Sequence, residues 1–81
     1  MDVSKEYQTI VALIGEPARA LMLWNLLDGR ALTATELGIL TDTSIQSASM
    51  HLNKLVKAEL LAVEKQGRHR YYRYAKPEVA Y

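Results

Sequence analysis

Eighty-one residues with a formal net charge of +1, 49% apolar side chains and no cysteine describe one small folded domain, near the size at which a single core is only just sufficient, so association with a second copy is expected. The missing cysteines exclude disulfides, thiolate metal sites and cysteine nucleophiles, and they suit a reducing interior. No apolar run exceeds five residues, and the N-terminus lacks the basic-then-apolar layout of a signal peptide. Neither a membrane span nor secretion is expected, and the reading is cytoplasmic.

The small net charge hides an uneven distribution. Residues 1–42 hold three basic and six acidic side chains, and residues 43–81 hold seven basic and three acidic, so the halves carry −3 and +4. Between Lys65 and Lys76 five cations and no acid are interleaved with Tyr71, Tyr72 and Tyr74. Such a concentration suits a polyanionic partner better than the overall charge does.

In chain order, Tyr7, Ile10, Val11 and Ile14 recur at helical spacing and predict a first helix over 3–14, stopped by Gly15. Glu16 and Pro17 restart the chain, because proline at the first helical position gives up a donor that has no partner there. The second predicted helix runs from Pro17 to about Leu27 and closes at Asp28 and Gly29. Ala20, Leu23, Trp24 and Leu27 make one stripe, yet Leu21, Met22 and Leu26 leave the helix apolar almost all round, so it is either central to the core or shared with a partner. A short extended link at 30–32 leads to Thr33-Ala34-Thr35-Glu36, a capping box that opens a short third helix over about 34–40. Thr41, Asp42 and Thr43 form the turn.

Ser44 then caps a helix that extends to Ala58. Ala48, Leu52, Leu55 and Val56 form its buried stripe, and Gln46, Ser47, Met50, Asn53, Lys54 and Lys57 fall on the opposite side with His51 on the flank. Small hydroxyls and amides near a helix N-terminus are groups that reach base edges and phosphates; an ordinary solvated face is the competing reading. After Leu60 the period becomes alternating. Leu61 and Val63 point one way, Gln66, Gly67 and Arg68 make a turn, and His69 to Tyr74 returns with Tyr72 and Tyr74 on one face: a β-hairpin with a basic tip. Pro77 and Glu78 open a further helix that is cut short within its first turn. Taken whole, residues 1–81 read as one mainly α domain with a small β-hairpin, an α+β winged helix-turn-helix.

The segments GEPARALMLWNLLDG at 15–29, TATEL at 33–37, SIQSASMHLNKLVKAELL at 44–61 and GRHRYYRY at 67–74 resemble the ArsR family of bacterial transcriptional repressors. The resemblance implies a homodimer on double-stranded DNA, with one recognition helix per subunit in successive major grooves and the wings on the flanking backbone or minor groove. It places Gln46, Ser47, Ser49, Met50 and His51 at base-reading positions, with Ser44, Asn53 and Lys54 beside them, and Lys65, Arg68, Arg70 and Arg73 on the wing. Met50 stands where the family often has a histidine, which leaves contact with a thymine methyl but no polar readout there. Dimerisation is expected through Tyr7, Ile10, Val11 and Ile14 of the first helix, weakened because the C-terminal helix that the family pairs with it is cut short.

Several positions depart from the family pattern. The cysteine pair of its metal-sensing members is replaced by Gly38 and Leu40, and the other metal site uses the C-terminal helix. No metal and no cofactor are expected, His51 and His69 being isolated on different elements. Glu59 takes a position commonly held by glycine; if its backbone is left-handed, it bears a cost of about 1 kcal/mol. Leu21 and Trp24 stand where polar residues are common, which implies either a larger core or a partner surface. An enzyme is not expected: no nucleophile is paired with a base, no glycine-rich phosphate loop occurs, and Asp28, Glu36 and Asp42 serve as helix-end residues. The alternative to DNA binding is a winged-helix module that binds protein, its basic hairpin protecting an edge strand.

Overall fold

Four helices and a three-stranded antiparallel sheet follow one another as α1 (Val3–Ile14), α2 (Pro17–Asn25), β1 (Leu32–Thr33), α3 (Ala34–Thr41), α4 (Ile45–Lys57), β2 (Leu61–Gln66) and β3 (His69–Tyr74). The computed structural model describes residues 3–75, with side chains from Gln8 onward; the Tyr7 side chain and the helix expected after Pro77 lie outside the described residues. The sheet order is β1-β3-β2. The extended link before α3 is thus a true edge strand, with Leu32 opposite Tyr72 and Thr33 opposite Tyr71. Among the described residues no helix is long and apolar enough to cross a membrane.

Local chemistry sets the helix ends. Glu16 caps α2 by accepting from the Arg19 amide at 3.0 Å, with Pro17 in the first turn. At α3 the capping box is complete: the Thr33 amide donates to Glu36 Oε1 at 2.9 Å and the Glu36 amide to Thr33 Oγ1 at 3.1 Å. Those bonds favour the charged carboxylate and hold the Glu36 pKa below its ordinary 4.5, the Thr33 backbone contributing most. No glycine stands between α3 and α4; Asp42 supplies the left-handed residue instead, with φ 55°, a conformation that Asp tolerates better than most residues. Ser44 caps α4 through a 3.0 Å bond from the Ser47 amide.

The two helices of the motif meet at Gly38. A Cβ there would stand 3.1 Å from the Thr43 carbonyl oxygen and 3.6 Å from the Ala48 Cβ, so the missing side chain is what lets α4 cross close to α3. Thr41 holds the joint from inside, donating to the Leu37 carbonyl at 2.6 Å and lying 3.1 Å from the Thr43 hydroxyl. Past α4 the chain turns sharply at Glu59, whose φ is 64°. The left-handed exit anticipated for this position is present, and a residue with a Cβ bears it.

The core gathers Met22 and Leu26 of α2, Leu32, Leu37, then Ala48, Leu52 and Leu55 of α4, and Leu61 and Tyr72 of the hairpin. The stripe predicted for α4 is therefore the buried one, with Val56 at its margin. The stripe predicted for α2 is not. Ala18, Arg19, Met22 and Leu26 are buried, whereas Ala20 and Leu27 are exposed, Leu23 is half-buried and Trp24 is 71% exposed. A helix apolar on nearly every side leaves its periodicity no power to select a face; the choice was made by where α3 and α4 lie. Of the two readings of Leu21 and Trp24, the larger core is excluded, for both are exposed in the single chain. The hairpin departs once from alternation: Leu61 is buried but Val63, on an outer strand of the sheet, is exposed, while its partner Tyr72 on the central strand is buried. At the hairpin base the Tyr74 hydroxyl donates to the Leu23 carbonyl at 2.8 Å, and burial pushes its pKa up.

Candidate nucleic-acid interface

The buried stripe of α4 fixes what its other side presents. Ser44, Gln46, Met50, Asn53, Lys54 and Lys57 are exposed, and Ser47 and Ser49 half-buried, on a 13-residue helix about 20 Å long. Two shallow clefts run along this side. One, of about 610 Å³, follows the helix and is lined by Ile45, Gln46, Ser49, Met50, Asn53, Lys54 and Lys57. The other lies between α4, the start of α3 and the hairpin, where Thr35, Arg68, Arg70 and Tyr72 join Ser49 and Asn53. Ser49 and Asn53 line both, so helix and wing form one continuous face. No aspartate or glutamate lines either cleft.

The hairpin divides its cations between two faces. Cross-strand partners share a face and alternate residues change it. Lys65 stands opposite Arg70 and Val63 opposite Tyr72, so Lys65 and Arg70 continue the face that Tyr72 turns toward the body. The turn is the two-residue Gly67-Arg68, with φ 62° at Gly67, as a type II′ turn requires of its first central residue; Gln66 belongs to the strand. Arg73 is the exception among the predicted wing residues. It pairs with Ala62, lies on the face opposite Arg70, and donates to the Tyr74 carbonyl at 3.1 Å. Strand parity takes it away from the other three.

His51 is a second correction. It sits on α4 but turns inward, its side chain only 12% exposed. Its Nδ1 lies 3.0 Å from Nη1 of the buried Arg19. Since a guanidinium only donates, Nδ1 accepts, and the proton of the neutral ring is on Nε2, which faces the Glu16 carboxylate at 3.8 Å. The same guanidinium donates from Nε to the Leu13 carbonyl at 2.6 Å and from Nη2 to the Ala12 carbonyl at 3.3 Å. Arg19 thereby closes the C-terminal end of α1 and joins it to the recognition-helix candidate through His51. That role was not visible in the sequence, where Arg19 is one more cation on an apolar helix. Thr35 and Ile45 are further residues of the face that no sequence pattern marked as binding; Thr35 lies within the Thr33–Glu36 capping box, in the first turn of α3.

Residues 10, 11 and 14 of the predicted dimer stripe are partly exposed along α1. Among the described residues no three of His, Cys, Asp and Glu come together as metal ligands.

A family model described as a helix-turn-helix domain matches residues 14–64. The chain belongs to the helix-turn-helix family. Within it, the chain is 49% identical over 71 residues, 88% of its length, to the uncharacterized HTH-type transcriptional regulator YdfF of Bacillus subtilis (strain 168). It spans only 31% of that relative. Among solved structures, HlyU from Vibrio cholerae N16961 superposes with a TM-score of 0.85 at 25% identity, covering 99% of this chain and 87% of that one. The homodimeric winged helix-turn-helix DNA-binding domain of Mb0332 from Mycobacterium bovis, a possible ArsR-family transcriptional regulator, gives 0.83 at 22% identity, covering 96% of this chain and 71% of that one. The ArsR-type winged architecture that the motifs resemble is thus the fold observed, and the helix-turn-helix relatives are regulators rather than enzymes.

Proposed function

We propose that this helix-turn-helix chain is a sequence-specific transcriptional repressor that binds an inverted repeat in double-stranded DNA as a homodimer, acting in the cytoplasm with residues 1–81 working as one DNA-binding unit. The observation that carries this reading is the continuous, acid-free face formed by α4 and the wing. Gln46, Ser47, Ser49, Met50 and Asn53 are offered to base edges in the major groove, the Ser44 cap and Lys54 to the near backbone, and Lys65, Arg68 and Arg70 to flanking phosphates. YdfF, named as a transcriptional regulator, and Mb0332, named as a homodimeric DNA-binding domain, support it. The exposed apolar positions Ile10, Val11 and Ile14, with Tyr7, are assigned to the dimer contact, which sets the half-site spacing, and the wing is assigned to the minor groove or backbone.

The test is selection of bound sequences from a random duplex pool. An inverted repeat, bound with a steep fall of affinity as salt rises, is the expected result. A winged helix that binds protein instead yields no enriched sequence and a shallow salt dependence, and that outcome overturns the proposal.

A further inference from the structure

Two large aliphatic side chains on the proposed reading face are about half exposed: Ile45 is 57% exposed and Met50 50%, and neither belongs to the core. Single exposed apolar residues are ordinary. These two line the same cleft as Gln46 and Asn53, with Lys54 and Lys57 at its C-terminal end. An occupant that satisfies this lining carries negative charge at its margin, paired donor and acceptor atoms, and methyl groups. In the major groove the thymine C5-methyl is the apolar group that a base pair presents, and adenine N6 and N7 are the pair that an Asn or Gln amide meets bidentately.

Resting on the proposed DNA-binding function, we infer that α4 reads A·T pairs, with Ile45 and Met50 packing on thymine methyl groups and Gln46 and Asn53 bonding adenine edges. The helix geometry keeps the two contacts apart. Ile45 and Met50 are five residues apart, about 7.5 Å along the axis and about 140° round it, and they flank the cleft that Gln46 and Asn53 also line. Each half-site therefore contains two methyl-dependent thymines at different positions, one for each side chain. Both side chains are exposed, so Ile45→Ala and Met50→Ala leave the fold intact, which circular dichroism checks.

The experiment replaces each thymine of the selected half-site by uracil in turn, removing one methyl and leaving every hydrogen-bonding atom. Two positions are expected to lose affinity, by about fourfold each, the value of one buried methyl group. On the Met50→Ala protein one of those losses disappears, and on Ile45→Ala the other. Specific binding that is indifferent to uracil at every position overturns this inference and leaves the DNA-binding reading standing, as does selection of a half-site of G·C pairs. Uracil losses that persist unchanged in both variants also overturn it. No duplex binding at all overturns both.

Discussion

Arg70 and Arg73 are three residues apart on one strand, both exposed and both cationic, yet strand parity puts them on opposite faces of the wing. Replacing each by alanine therefore separates position from charge. Neutralising one phosphate of B-DNA contributes about −0.9 to the slope of log affinity against log salt, so Arg70→Ala in both subunits of a dimer flattens the slope by about 1.8. At about 0.15 M salt the same counterion term is worth about fivefold per contact, hence about 30-fold for the dimer, on specific and random duplexes alike. Arg73→Ala changes neither, because its guanidinium is turned to the Tyr74 carbonyl on the far side. Fluorescence anisotropy titrations of the selected duplex, between about 50 and 300 mM salt, measure both slopes. Equal flattening by the two variants, or a larger effect of Arg73→Ala, refutes the assignment of faces.

Glu59→Gly relieves the left-handed backbone at the exit of α4 and is expected to stabilise the fold by about 1 kcal/mol, read as a higher urea midpoint with the same m-value; a loss of stability contradicts it. Arg19→Met removes the bonds to the Ala12 and Leu13 carbonyls and to His51 and costs about 2 to 3 kcal/mol; dimerisation measured by sedimentation is expected to weaken too, since α1 loses its tie to the rest of the domain. The Glu36 carboxyl has a folded pKa below its ordinary 4.5, so its contribution is present above that pH and is lost as pH falls through the lowered value. Glu36→Gln is accordingly expected to lose less stability than the parent as the solution is acidified below about 4.5, in denaturation midpoints taken at successive pH values; parallel acid limbs would remove the capping box from the pH dependence.

Local signals were legible wherever one residue acts on its neighbours. The Thr33 box, the Ser44 cap, Pro17 after Glu16 and the Gly67 turn each satisfy backbone groups within a few residues, and each produced the element expected of it. The α4 stripe was legible for a related reason: Ala48, Leu52 and Leu55 alternate with strongly polar positions, so one face alone can be buried. Where polarity did not contrast, as on α2, the pattern was silent about direction, and the structure chose Met22 and Leu26 over Leu23 and Trp24.

The sequence by itself determined the order of elements, the cap and turn positions, and the outward residues of α4, because these depend on spacing along one helix or strand. Tertiary structure alone decided which cations work together. Arg70 and Arg73 differ only in the parity of a strand whose register is set by pairing with β2, and Arg19 becomes a buried clasp only because the end of α1 and His51 meet it from distant parts of the chain. His51, read as a flank residue, is drawn inward by that clasp: its partner Arg19 is 32 residues away, and no local pattern carries a contact of that range.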